Sequence, residues 1–293
     1  MRGCRAAHDA VYFLTMIEQA EKEQDEAEGA AAEAGEMEPI PDRGLLDEMV
    51  RAGVLFGRKS SATHPRMSRF IEMTRNGAEL FEHTKVLAAI ETAGAFLEDI
   101  ARRGGTILFV GATPPARELV RAFGARFGFP SVTERWLGGT LTNFSVIAKR
   151  VGYFVKLKED YGAGRLDKYT KRERVQFGKE IGRMEKMFSG IERLAALPQV
   201  LFVVNATAHM TAIREARHMR IPVVAIANSD TNPDMISYLV PANDRARGSL
   251  SWLCERLALY IERGKSAREV APAPATSAAS HSHGNERTNP AAA

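Results

Sequence analysis

The chain has 293 residues, 45% of them apolar and 26% charged, which is ordinary globular composition for one large domain or two smaller ones. No run approaches the ~20 apolar residues that span a bilayer, so a membrane-spanning helix is excluded. Two cysteines, Cys4 and Cys254, exclude a disulfide framework or a Cys-rich metal site and fit a reducing, cytoplasmic setting.

The net charge of +4 is unevenly spread. Residues 1–40 hold 3 Lys/Arg against 10 Asp/Glu, and residues 41–265 hold 35 against 24. A basic body behind an acidic leader points to a polyanionic partner such as nucleic acid. A short helix is expected within 11–27, carrying Tyr12, Met16 and Ile17. The acidic, Ala/Gly-rich remainder up to 40 has almost no large apolar residue and reads as a flexible extension. The acidic run so near the start disfavours a signal or transit peptide.

Asp42 is placed to cap a helix with Leu45, Leu46, Met49 and Val50 at helical spacing, ended by Gly53. Residues 53–71 read as a loop carrying Arg58, Lys59, Arg66 and Arg69 among hydroxyl side chains and two phenylalanines. Cations beside short hydroxyls suit phosphate oxygens. Asn76-Gly77 predicts a hairpin turn between short strands at 69–73 and 79–81. A helix over 84–102 has Leu87, Ile90, Ala93, Phe96, Leu97 and Ile100 on one side. Thr106 to Gly111 is a continuous apolar strand of the kind buried on both faces of a parallel sheet. Pro114-Pro115 opens the next helix, which runs to about Phe127. Gly111-Ala112-Thr113 lacks a phosphate-binding glycine pattern, and the prolines remove N–H donors, so a plain turn is expected there.

Glu134 to Phe144 reads as a tight loop that ends a small strand and launches a long helix. It holds Trp136, the pair Gly138-Gly139, and Thr142 and Asn143 as N-capping residue types. A phosphate cradle, a nucleic-acid contact through Arg135 and a packed corner all fit this spacing. Phe144, Ile147, Val151 and Phe154 then step by 3, 4 and 3. The pattern breaks at Gly162-Ala163-Gly164 and resumes with Ile181, Met184, Phe188 and Ile191. Two heptad-like helices about a glycine turn make a hairpin, here an insertion over about 142–196. Its outer faces are basic, with Lys149, Arg150, Lys156 and Lys158 on one arm and Lys171, Arg172 and their neighbours on the other.

Strands are expected at 200–204, 221–226 and about 238–240, with helices at 209–219 and 246–263. The polar turn from Asn228 to Asp234 falls at a strand's carboxyl end, where open α/β sheets bind ligands. Residues 266–293 are Ala/Pro/Ser-rich and read as a disordered tail. The seven histidines are scattered, with no metal-ligand spacing, and no nucleophile elbow is present, so no catalytic residue, metal or cofactor is expected.

Arg135-Trp136-Leu137-Gly138-Gly139-Thr140-Leu141-Thr142-Asn143-Phe144 closely resembles the signature of the ribosomal protein uS2 family of the bacterial-type small subunit. Ala52 to Gly57 with Pro65-Arg66-Met67, Ile107 to Gly111, Ile221 to Ile226 and Pro241-Ala242-Asn243-Asp244 extend the resemblance, in the family's order, across about 43–263. It implies a flavodoxin-like three-layer α/β/α sandwich with a parallel sheet and a protruding coiled-coil hairpin. It also implies a non-enzymatic cytoplasmic role in translation. That role is binding small-subunit rRNA near the head–body junction, and binding neighbouring ribosomal proteins, including the subunit's largest RNA-binding one. No membrane and no small-molecule substrate are implied. The chain departs from the family where Leu55 and Arg58 replace usual histidines, at Asn228-Ser229-Asp230, and at Ala242 and Arg245. The competing expectation is a nucleotide- or sugar-phosphate-binding enzyme on a Rossmann-like fold, with its ligand near Gly111 and Asp230.

Overall fold

The computed structural model describes residues 43–270. The helix expected within 11–27, the acidic leader and the end of the tail lie outside the described residues. The chain divides into two units after Asp47. Of the first unit, residues 43–47 are described, as the opening of helix α1 (Arg43–Ala52).

The segment expected to be a cationic loop after α1 is partly a strand. β1 (Phe56–Lys59) pairs antiparallel with β3 (Ala78–Phe81), which also pairs with β2 (Ile71–Arg75) about the Asn76-Gly77 turn. Two short 3₁₀ turns, Ser60–Ala62 and Pro65–Phe70, join β1 to β2. The sequence pattern does not reveal β1, because it is only four residues long and contributes no buried apolar side chain of its own.

The main sheet has five parallel strands. They are β4 (Ile107–Val110), β5 (Ser131–Val132), β6 (Val200–Val204), β7 (Val223–Ala227) and β8 (Tyr238–Pro241). Their spatial order is β5-β4-β6-β7-β8. This is the 2-1-3-4-5 order of flavodoxin-like sheets, with the reversal of strand order at β4. Every residue of β4, β6 and β7 is buried, which explains their unbroken apolar runs.

Alternate residues of these strands serve two cores. On one face Phe109 meets Phe202 and Phe123, the latter on α3 (Pro114–Phe127). There α2 (His83–Arg102) also packs against α7 (Arg247–Val270), and Phe96 stacks on Tyr238 of β8. α3 begins at the expected prolines and ends at Gly128, whose φ of 67° lies in the left-handed region that a side chain strains to adopt. α7 continues past the expected end at 263, so residues 266–270, expected to belong to the tail, are helical.

On the other face Leu108, Val110, Leu201, Val203, Val223 and Ala225 form one core with α6 (Met210–His218) and the helical hairpin. The hairpin consists of α4 (Phe144–Gly162) and α5 (Lys171–Phe188). It turns through the expected Gly162-Ala163-Gly164. The second arm starts at a capping box in which Thr170 and Glu173 satisfy each other's backbone donors. Val151 and Phe154 of α4 and Phe188 at the end of α5 belong to the sheet core. The hairpin therefore lies within the crossover from β5 to β6, packing its base on the sheet and leaving its far half to solvent.

Phe154 is fully buried, against Phe188 at a centroid distance of 6.2 Å. Phe154→Ala is expected to lower stability by about 3–5 kcal/mol through the cavity it leaves. Urea unfolding of the full chain followed by circular dichroism measures this. A drop of under about 1 kcal/mol would show that the hairpin base is not packed into the core.

Candidate nucleic-acid interface

The loop before α4 is built around an acid that the sequence pattern does not single out. Glu215 sits on α6 and is buried. One carboxylate oxygen accepts from the indole Nε1 of Trp136 at 2.9 Å and from the backbone N–H of Gly139 at 2.9 Å. The other accepts from the backbone N–H of Leu141 at 3.1 Å and lies 3.5 Å from both the N–H and the hydroxyl of Thr142. Gly139 reaches its donor position with φ 87°, a conformation natural only to glycine. Thr140 closes the turn by donating its hydroxyl to Leu137 O at 2.6 Å.

The loop thus has the converging N–H groups of a phosphate cradle, and the protein's own carboxylate occupies them. Trp136 is a packed corner residue, half-buried against the core. The expected side-chain caps are absent. Asn143 stands at the N-cap of α4 without a side-chain bond, its carbonyl accepting from Val146 and Ile147 instead, and Thr142 turns to Glu215.

The switch point of the sheet is also filled from within. The buried His209 ring accepts from the backbone N–H of Ala112 at Nε2, 2.9 Å away, and its Nδ1 lies 2.9 Å from the carbonyl of Asn205. The first contact requires an unprotonated Nε2, so Nδ1 carries the proton and donates it. Burial pushes the His209 pKa below its ordinary value, and the bond to Asn205 opposes this. The plain turn expected at Gly111-Ala112-Thr113 is therefore tied to a histidine.

Arg58 was expected to face phosphate, and the structure turns it inward. Its Nε lies 2.7 Å from Asp230 Oδ2 as an ionic contact without hydrogen-bond alignment, and its Nη2 lies 3.7 Å from Asp244 Oδ1. Asp244 also accepts from Asn228 at 3.2 Å. It is fully buried, and burial raises its pKa despite Asn228 and Arg58 nearby. The Arg58 backbone N–H donates to Ser229 Oγ at 3.0 Å, and His64 N donates to Ser229 O at 2.8 Å. The departures Arg58 and Ser229-Asp230 are thus partners in one internal clamp between the small sheet and the carboxyl ends of β7 and β8.

The remaining expected cations are exposed. Lys59 follows Arg58 on β1 and points outward. Arg66 pairs with Asp234, and Arg69 lies over the Phe70 ring at 4.7 Å. Arg135 is exposed beside the Glu215 loop. On the hairpin, Lys158 pairs with Glu185 and Glu192, Arg165 with Asp160, and Arg174 with Asp167. Lys149, Arg150, Lys171 and Arg172 are exposed and make no ion pair among the described residues. The expected set therefore falls on three places, the small sheet with its 3₁₀ turns, the Glu215 loop with Arg135, and the hairpin.

No group of histidine, cysteine and carboxylate side chains among the described residues is arranged to hold a metal ion. No described helix is long and apolar enough to cross a membrane. The Cys254 thiol is buried and pushed up to about 12, mainly by desolvation, which leaves it unreactive.

Two measurements check this arrangement. Glu215→Gln places amide donors against backbone donors and should cost about 2 kcal/mol in urea unfolding, more than an exposed Glu→Gln control such as Glu91→Gln. His209 binds protons more readily unfolded than folded. Its stabilising contribution is full above pH ~6.5 and declines as pH falls toward the depressed folded value, by at most about 1.4 kcal/mol per pH unit. His209→Gln should flatten that part of the stability profile between about pH 7.5 and 5.5, and an unchanged slope would show that His209 does not titrate on unfolding.

Residues 49–264 match the family model described as Ribosomal protein S2. Proteins named small ribosomal subunit protein uS2 are similar over most of the chain. The Thermus thermophilus protein is 38% identical over 217 residues, covering 74% of this chain and 85% of the relative. The Deinococcus radiodurans protein is 35% identical over 230 residues, 78% of this chain and 87% of the relative. The Dehalococcoides mccartyi protein is 32% identical over 225 residues, 77% of this chain and 92% of the relative. The family is structural and non-enzymatic, which sets aside the nucleotide- or sugar-phosphate-binding enzyme. With its flavodoxin-like strand order, its Trp136–Phe144 loop and a match that covers the whole sheet and hairpin, the chain belongs to the ribosomal protein S2 family.

Proposed function

We propose that the chain is a structural constituent of the small ribosomal subunit in the cytoplasm, binding rRNA and neighbouring ribosomal proteins, the largest RNA-binding one among them. The observation that carries this reading is the family match over 49–264. The unpaired, exposed cations of the hairpin support it, since Lys149, Arg150, Lys171 and Arg172 are free to meet phosphate. Lys59, Arg69 and Arg135 extend the set. Arg66 joins it by exchanging Asp234, because an exposed ion pair is worth only about 0–1 kcal/mol. Arg58 leaves the set and acts as an internal clamp.

Sedimentation tests the reading. The chain should travel with small subunits at moderate salt, and its presence only in the free pool would overturn the proposal. Combined Lys149→Ala, Arg150→Ala, Lys171→Ala and Arg172→Ala should flatten the log–log salt dependence of RNA binding by roughly 0.7–0.9 for each phosphate no longer neutralised. An unchanged slope would remove the hairpin from the interface.

A further inference from the structure

Between the arms of the hairpin, at their junction with the Glu215 loop, lies an open groove of about 580 Å³. Its floor is apolar, with Leu137, Ile147, Met184 and Phe188. Tyr153 stands at its side with half its surface in solvent, and Met187 is 38% exposed. Arg150, Arg183 and Glu180 line the same groove. None of these three charged side chains, nor the Tyr153 hydroxyl, has a hydrogen bond or ion pair among the described residues. The groove therefore combines a flat aromatic face, polarisable sulfur, two free guanidiniums and a free carboxylate.

We propose that this groove binds an unpaired guanine nucleotide of single-stranded RNA. This deepens the RNA-binding reading above and rests on it. The chemistry selects the occupant. An acidic peptide would satisfy the arginines and be repelled by Glu180. A nucleotide satisfies both kinds of group, because its phosphates accept from Arg150 and Arg183 while its base donates to Glu180. Guanine presents N1–H and the N2 amino group side by side, matching the two oxygens of one carboxylate, whereas each other base offers a single donor group on that edge. Unstacked bases in RNA recognition stack on exposed aromatic rings, and Tyr153 is such a ring in a basic surface.

Gly138 provides a selective probe. A Cβ built at this residue meets no atom within 4 Å, and its φ lies outside the range reserved for glycine. Gly138→Leu is thus compatible with the fold while placing a side chain at the groove.

The full-length chain is titrated into two fluorescein-labelled RNA nonamers, one all uridine and one with a single central guanosine, and followed by anisotropy at moderate salt. The wild type should bind the guanosine oligomer about tenfold tighter. Gly138→Leu and Glu180→Gln should each bring the two oligomers to one affinity. Tyr153→Ala should weaken guanosine binding about tenfold, and Tyr153→Phe should retain it. Circular dichroism confirms that each variant is folded. Equal wild-type affinity for the two oligomers overturns the guanine site alone, as does a preference that survives both Gly138→Leu and Glu180→Gln. Displacement of the guanosine oligomer by oligoglutamate as readily as by RNA assigns the groove to an acidic peptide and overturns it too. Failure to bind either oligomer overturns the RNA-binding reading together with it.

Discussion

The Glu215 carboxylate gathers donors from Trp136, Gly139, Leu141 and Thr142, and the placement of the hairpin depends on that convergence. Burying a carboxylate away from water costs several kcal/mol unless hydrogen bonds replace its hydration. Here backbone N–H groups just ahead of α4 do so, at the end of a helix where partial positive charge favours an anion. The acid is carried by α6, which follows β6, whereas the loop follows β5. One side chain therefore ties the entry of the hairpin to the segment that follows its exit. Phe154 and Phe188 complete the tie from below, through the sheet core. The hairpin base is held by an anion above and by apolar packing beneath, which gives its free half a fixed direction.

The carboxyl edge of the parallel sheet shows the same internal economy of charge. In doubly wound folds this edge opens a crevice at the switch point, where phosphates and cofactors bind. His209 closes it by joining Asn205 to Ala112 across the β4–β6 junction. Arg58 closes the far side by meeting Asp230 and Asp244. The polar residues that suggest a ligand site on paper are thus bonded to one another. What remains available for recognition is the outward surface, which agrees with a family whose members are structural.

The central parallel strands β4, β6 and β7 are legible in the sequence because burial on both faces leaves an unbroken apolar run, and the helices because one face repeats every three to four residues. The hairpin is legible for the same reason. β1 is not, and without it a cation is misassigned. Along β1, whose register against β3 is irregular, Arg58 is turned inward to Asp230 and Asp244 while Lys59 is exposed. Taken as a loop, Phe56–Lys59 has no faces, and both cations pass for phosphate contacts. Glu215 is hidden for a different reason. Within Met210–His218 it looks like one surface acid among arginines. Its burial follows from donors more than seventy residues earlier in the chain, a pairing that no local periodicity encodes. The Trp136–Phe144 stretch is recognisable as a motif, but its occupant lies outside the motif.

These pairings also change what the basic composition means. The excess over residues 41–265 counts every cation alike, yet Arg58, Lys158, Arg165 and Arg174 are already committed to carboxylates of the same chain. A paired charge adds little field beyond its partner, and the field of any exposed charge fades over a Debye length of about 8 Å at physiological salt. A polyanion approaching the molecule therefore responds to local groups of unpaired cations, not to the net total. The hairpin supplies such a group, on helices whose base is rigidly placed by Glu215 and the sheet core. Rigid placement matters for recognition because ordering flexible cations at the moment of binding would consume much of the attraction they provide. The buried acid and the exposed bases are in this sense one device, in which the first determines where the second are presented.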